Sequence, residues 1–176
     1  MRRVALSLVV VLAAVTARAA DPADAGVETY ALTMPNIRKM AQAFEALDAV
    51  AKKNPALAAK VAADHEGSGN LAQLIATCEA DPLIKSTFAA AGISVRDAIL
   101  TEGALSFAAA GTYVQQQTGK APTGNPVTVA NVKFYQEHLA EIEPINQRML
   151  KLGILQDKGE EEDDEADDDA KEPGGN

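Results

Sequence analysis

The chain has 176 residues, of which 47% are hydrophobic and 23% are charged, and its formal net charge is −9. This length suits one ordinary globular domain. A single cysteine excludes an internal disulfide, and two histidines with one cysteine cannot supply the four nitrogen or sulfur donors that a structural zinc site usually takes.

The negative charge is concentrated near the C-terminus. Between Asp157 and Glu172, eleven acidic residues and two lysines give −9, so the rest of the chain is neutral overall. A neutral body offers no basic face to release counterions from phosphates, which argues against nucleic-acid binding. The acidic run is too highly charged to bury, so residues 154–176 are predicted to be a disordered tail. Such a run can bind calcium weakly, although it lacks the spacing of an EF-hand loop.

The first 19 residues have the pattern of a secretory signal peptide. Two arginines precede a twelve-residue apolar run, and residues 17–19 form an AxA cleavage site. The alternative is a membrane anchor, but the run is shorter than the roughly 18 apolar residues that a spanning helix needs. We therefore expect a mature chain that begins at Ala20, has a net charge of −12 after the loss of three arginines, and is periplasmic or secreted with no stable membrane span.

After a polar extension over residues 20–32, a helix is predicted to begin at the cap residue Thr33. Its apolar side chains follow in steps of three and four, which places them on one face. They are Ile37, Met40, Phe44, Leu47 and Ala51. The pairs Asn54-Pro55 and Asp81-Pro82 predict two further helix starts, because a cap residue followed by proline is typical of a helix N-terminus.

The helix that begins at Asn54-Pro55 is expected to end at Ala63, before a loop over residues 64–69. The next helix is predicted from Asn70 to Ala80 and carries Cys78 on its apolar face. A buried, inert thiol and an exposed thiol that pairs between chains are both open at this stage.

The most apolar segment of the mature chain follows Ser94 and Asp97, which resemble a capping box. From Ala98 to Val114 the pattern predicts a helix in the middle of a bundle, since it is apolar nearly all round. Its small residues are expected to let neighbouring helices come close. They are Gly103, Ala104, Ala108 and Gly111.

A loop over residues 119–126 leads to the last predicted helix, whose apolar steps continue to residue 152. This pattern indicates one helix kinked at Pro144, with a break capped by Glu143 as the alternative. Because no segment shows the alternation of a half-buried strand, the predicted fold is all-α. We expect a single compact bundle of about six helices over residues 33–153.

The sequence assigns no catalytic, cofactor-binding or metal-ligating residue. Glu102 is the one carboxylate in an apolar helix, and it either reaches solvent or a basic side chain, or has a raised pKa suited to acid–base chemistry. His138 and Glu141 could share a helical face, but two ligands do not make a metal site. The alternative to a non-enzymatic protein is a small helical enzyme or ligand-binding bundle that uses the interior near Glu102, Tyr113 and His138.

The segment DPLIKSTFAAAGISVRDAILTEGALSFAAAG, followed by a proline-containing loop and NVKFYQEHLAEI, resembles small exported all-helical bacterial proteins of uncharacterised families. The resemblance implies residence in the bacterial envelope and brings no reaction with it. The expected function is therefore binding or assembly with a protein or envelope partner, without enzymatic activity.

Overall fold

The computed structural model describes residues 25–67 and 70–155. Within these ranges it contains eight α-helices, a 3-10 helix at Gly153–Leu155, and no strand. The α-helices are α1 (Ala25–Glu28), α2 (Met34–Ala51), α3 (Pro55–Gly67), α4 (Leu71–Ala80), α5 (Pro82–Ala90), α6 (Val95–Thr118), α7 (Pro126–Glu137) and α8 (Leu139–Met149). The all-α prediction is confirmed for this part of the chain, but the count of about six helices is too low. The predicted signal peptide, and all but the first two residues of the predicted tail, lie outside the described residues.

Four helices begin where the sequence predicts a cap, and at the start of α3 the Asn54 side chain accepts a hydrogen bond from the amide of Leu57 over 3.3 Å. The hydroxyl of Thr33 accepts a hydrogen bond from the amide of Asn36, and the carboxylate of Asp81 accepts bonds from the amides at the start of α5. Ser94 accepts from the amide of Asp97 and donates its own hydroxyl to the Asp97 carboxylate over 2.7 Å. These bonds satisfy amides that the first turn of a helix otherwise leaves unpaired.

Two differences account for the higher helix count. The predicted polar extension contains α1 and contributes two buried core residues, Val27 and Leu32. The last predicted helix is divided at His138 (φ −107°, ψ 12°), whereas Pro144, the predicted kink, lies inside α8. The break at His138 lets α7 pack on α6 while α8 packs on α2. The predicted loop at residues 64–69 is also too long, since α3 continues to Gly67.

Helix α6 occupies the centre of the bundle over its first half. It contacts α1, α2, α4, α5 and α7, and the buried residues on it include Ala98, Leu100 and Leu105. Phe107 is 39% exposed, however, so the prediction that Ala98 to Val114 lies in the middle of the bundle holds for the first half of this segment and not for every side of the second. The second half of α6 reaches the surface because neighbouring helices cover only one side of it.

Two glycines on α6 allow neighbouring helices to pack closely against it. A Cβ atom on Gly111 would lie 2.7 Å from Cγ2 of Val132 in α7, and one on Gly103 would lie 3.1 Å from Cγ2 of Val27 in α1. Both distances are shorter than ordinary carbon–carbon contacts of about 3.5–4.0 Å. The predicted role of these two glycines in close helix packing is therefore confirmed.

The first and last segments of the described chain run side by side in the same direction. The amide nitrogen of the Asn125 side chain donates to the carbonyl of Glu28 over 3.0 Å. Farther along, Asn131 accepts from the amide of Leu32 and donates to the carbonyl of Tyr30. We call these two stretches, residues 28–48 and 125–154, the parallel pair.

Within the parallel pair, α2 and α8 are joined by two surface ion pairs. Arg38 contacts Glu141 over 2.7 Å, and Arg148 contacts Glu45 over 2.9 Å. The basic residue comes first on α2 and last on α8, so reversing one helix would place like charges together. Each exposed pair contributes about 1 kcal/mol or less, but the pattern favours the parallel direction over the antiparallel one.

Candidate functional site

The three residues of the predicted interior site do not converge. Glu102 is partly buried and accepts a hydrogen bond from the Ser106 hydroxyl over 3.2 Å. Tyr113 lies on the same helix, roughly 16 Å farther along its axis at 1.5 Å per residue, and is 42% exposed. A separation of this size is too large for both side chains to act on one reacting atom.

His138 belongs to a different surface group at the junction of α7 and α8. Its ring centroid lies 4.5 Å from that of Phe134, and its Nδ1 lies 3.3 Å from a carboxylate oxygen of Glu141. Hydrogen bonds from His138 and then Arg38 lower the pKa of the Glu141 carboxyl. Glu141 is thus engaged by two basic groups, which is an ion-pair arrangement rather than a ligand set.

Among the side chains that the structure describes, no group of three or more histidine, cysteine or acidic residues is arranged so that it could hold a metal ion. Cys78 is partly buried and packs against the hydrophobic core. Its burial is therefore intermediate between the two alternatives considered from the sequence, a fully buried thiol and an exposed one.

The most unusual surface in the described chain lies on the second half of α6. Phe107, Ala110, Tyr113, Val114 and Gln117 are exposed and are spaced so that they share one side of the helix. The exposed fractions of the phenylalanine, tyrosine and valine are 39%, 42% and 56%. We call these five residues the uncharged face.

Charge is absent from a long stretch of sequence around this face. Between Glu102 and Lys133 the only charged side chain is Lys120, in a chain that is 23% charged. From the sequence, the lack of charge in α6 predicts a buried helix. The same pattern also fits a helix that presents an apolar side to a partner, and periodicity alone does not distinguish the two.

A pocket of about 250 Å³ adjoins the uncharged face between α1, α6 and the loop before α7. Phe107 lines this pocket, together with the apolar residues Val27, Ala104 and Ala108. The polar lining consists of Asn125 and Asn131, whose side chains already bond residues 28–32, together with Glu28, Thr123 and Thr128. Most of the lining surface is apolar, so the pocket suits an apolar side chain.

None of the three residues of the predicted interior site lines this pocket. Among the described residues, no helix combines the length and apolar character required to cross a bilayer. Comparisons with protein-family models, with curated proteins and with solved structures found no match to this chain.

Proposed function

We propose that this protein is a non-enzymatic, exported helical protein that acts by binding or assembly, and that the uncharged face is its binding surface. The observation that carries this proposal is the exposure of Phe107, Tyr113 and Val114 on one side of the second half of α6, within residues 103–119, which contain no charged side chain. Soluble monomers rarely expose contiguous apolar patches larger than a few hundred Å², and interface centres are enriched in aromatic residues and depleted of charge.

The adjoining pocket supports a binding role. Residues that dominate interface energetics are usually apolar or aromatic anchors that fill a pocket on the partner. A pocket of about 250 Å³ beside Phe107 gives the uncharged face both a projecting surface and a recess. Such a surface can hold a protein partner in a defined position.

The alternative, a helical enzyme or ligand-binding bundle, has less support. It requires Glu102, Tyr113 and His138 to share a cavity, whereas the first two lie far apart along α6 and the third contacts Phe134 and Glu141. Export to the periplasm or the medium rests on the signal-like pattern of residues 1–19, with its charged start, apolar run and AxA site.

Site-specific photo-crosslinking of the full-length chain in cells of its source tests the proposal. A photoreactive phenylalanine analogue is placed at Val114, and the matched control carries it at Leu83 on α5, which is 39% exposed. We expect covalent protein adducts from position 114 well above those from position 83, in an envelope or medium fraction whose chain begins at Ala20. Equal adduct yields from the two positions, or a cytosolic chain that retains Met1, would contradict it.

A further inference from the structure

We infer that the partner of the uncharged face is a second copy of this chain, paired antiparallel, α6 against α6, about a two-fold axis near Ala110. The inference rests on the proposed function, because it names the occupant of the same surface. Three features of the face lead to it: its symmetry along the helix, the position of its pocket and its lack of charge.

The uncharged face is self-complementary along the helix axis. Phe107 precedes Ala110 by three residues, and Val114 follows it by four, so two larger apolar side chains flank a small one. A two-fold axis near Ala110 therefore places Val114 of each copy opposite Phe107 of the other. This reciprocal arrangement is what a two-fold interface requires.

In this pairing, Val114 of each copy would approach the pocket beside Phe107 of the other. Val114 is the more exposed of the two side chains, at 56% against 39%, so it projects from the face while Phe107 borders a recess. Antiparallel pairing inserts the projecting side chain of each copy at the recess of the other. The small side chain of Ala110 at the axis permits the two helices to approach closely.

Charge also favours a second copy. Two identical mature chains, each with an expected net charge of −12, repel each other in general, and the repulsion is weakest where neither copy presents like charges. The uncharged face meets this condition, since residues 103–119 contain no charged side chain, and Glu28 is the one charged residue that lines the adjoining recess. A basic partner, by contrast, would be drawn to acidic regions elsewhere on the chain.

The size of the face sets the strength of the pairing. From Phe107 to Gln117 it extends roughly 15 Å along α6 at 1.5 Å per residue. A stable interface typically buries about 800 Å² on each partner, which is more than one side of a helix of this length provides. The dimer is therefore weak and forms with rising concentration.

Sedimentation of the mature chain over a concentration series tests the pairing. The parent chain is expected to shift from monomer to dimer as concentration rises, and Val114→Glu is expected to weaken this by more than about tenfold, since it buries a charge without a partner. Leu83→Glu, at an exposed apolar position on a different helix, should dimerise as the parent does. A parent chain that stays monomeric to millimolar concentration overturns the inference, as does undiminished dimerisation of Val114→Glu.

Cysteine crosslinking in a Cys78→Ala background tests the geometry. We expect Ala110→Cys to form disulfide-linked dimers with itself, and a mixture of Phe107→Cys and Val114→Cys to form the mixed dimer faster than either self-linked dimer. A preference for self-linked dimers at positions 107 and 114 would indicate parallel pairing and would overturn the proposed geometry.

The two proposals fail in distinguishable ways. Crosslinks from position 114 to another protein, together with a monomeric parent chain, would overturn the second copy as occupant while leaving the binding surface in place. Adducts from positions 114 and 83 in equal yield would overturn the binding surface itself.

Discussion

At the scale of single residues, Asp48 holds the C-terminal end of the described chain against α2. Its buried carboxylate contacts the Lys52 ammonium over 2.7 Å and accepts a hydrogen bond from the amide of Ile154 over 3.3 Å. Burial raises the pKa of Asp48, but the hydrogen bonds from Lys52 and from the backbone of Ile154 and Gly153 outweigh it, so the pKa lies below its ordinary value.

A lowered pKa makes this contact sensitive to acid. Its stabilising contribution is fully present above the pKa of the unfolded chain and is lost as the pH falls through the lower pKa of the folded state. We expect Asp48→Asn to lower the melting temperature at neutral pH, and the gap between parent and variant to shrink as the pH falls from about 5 to about 2. Thermal melts across this range check it, with the exposed Glu137→Gln as the control. A gap that stays constant with pH would show that the carboxylate charge has no such role.

At Gly111, helix α6 packs so closely on α7 that there is no room for even one added side-chain carbon. In an open helix an alanine would be favoured over glycine by about 1 kcal/mol. Here the added Cβ would lie 2.7 Å from the Val132 side chain, so Gly111→Ala is expected to destabilise the fold by about 1–3 kcal/mol. Denaturant unfolding measures the loss. The same substitution made in a Val132→Ala background should cost much less, and an equal cost there would place the strain elsewhere.

At the scale of elements, two positions on α6 that are two residues apart lie on different sides of the helix, one covered by the bundle and one exposed. Leu105 is 6% exposed and Phe107 is 39% exposed. Leu105→Asp is expected to unfold the domain, because it buries an unpaired charge among apolar side chains. Phe107→Asp should keep the helical signal and most of the melting temperature. Far-UV circular dichroism and thermal melts decide the outcome, and equal loss in both variants would mean that the second half of α6 is also enclosed.

The sequence predicts the elements well where the signal is local. Thr33, Asp81 and Ser94 cap the helices they are expected to cap, because a cap is formed by residues a few positions apart. The division at His138 depends instead on which helices α7 and α8 pack against, and no short stretch of sequence contains that information. The exposure of the uncharged face was missed for a similar reason, since an apolar helix predicts contact but does not say whether the contact is within the chain.

At the scale of the whole molecule, the acidic segment is predicted to act through charge and not through packing. Deleting residues 157–176 changes the net charge of the mature chain from −12 to −3. The melting temperature should change little at moderate salt, while self-association at low salt should increase because repulsion between copies falls. Added calcium should bind the intact chain only weakly.

Thermal melts and sedimentation at low and high salt check this prediction. Since salt screens charge repulsion, the difference in self-association between the deleted and intact chains should narrow as ionic strength rises. A deleted chain that melts far lower, or tight stoichiometric calcium binding by the intact chain, would give the segment a structural or metal-binding role.

The parallel pair also determines when the chain can complete its fold. Arg38 and Glu141 are 103 residues apart in sequence, so α2 gains its contacts with α8 only after nearly all the described chain has been synthesised. Contacts between distant residues slow folding relative to helical proteins held by local contacts. The helix that is made early must therefore wait for contacts with a helix that is made near the end of the described chain. The same pairing that joins the two ends of the described chain thus delays completion of the fold until α8 has been synthesised.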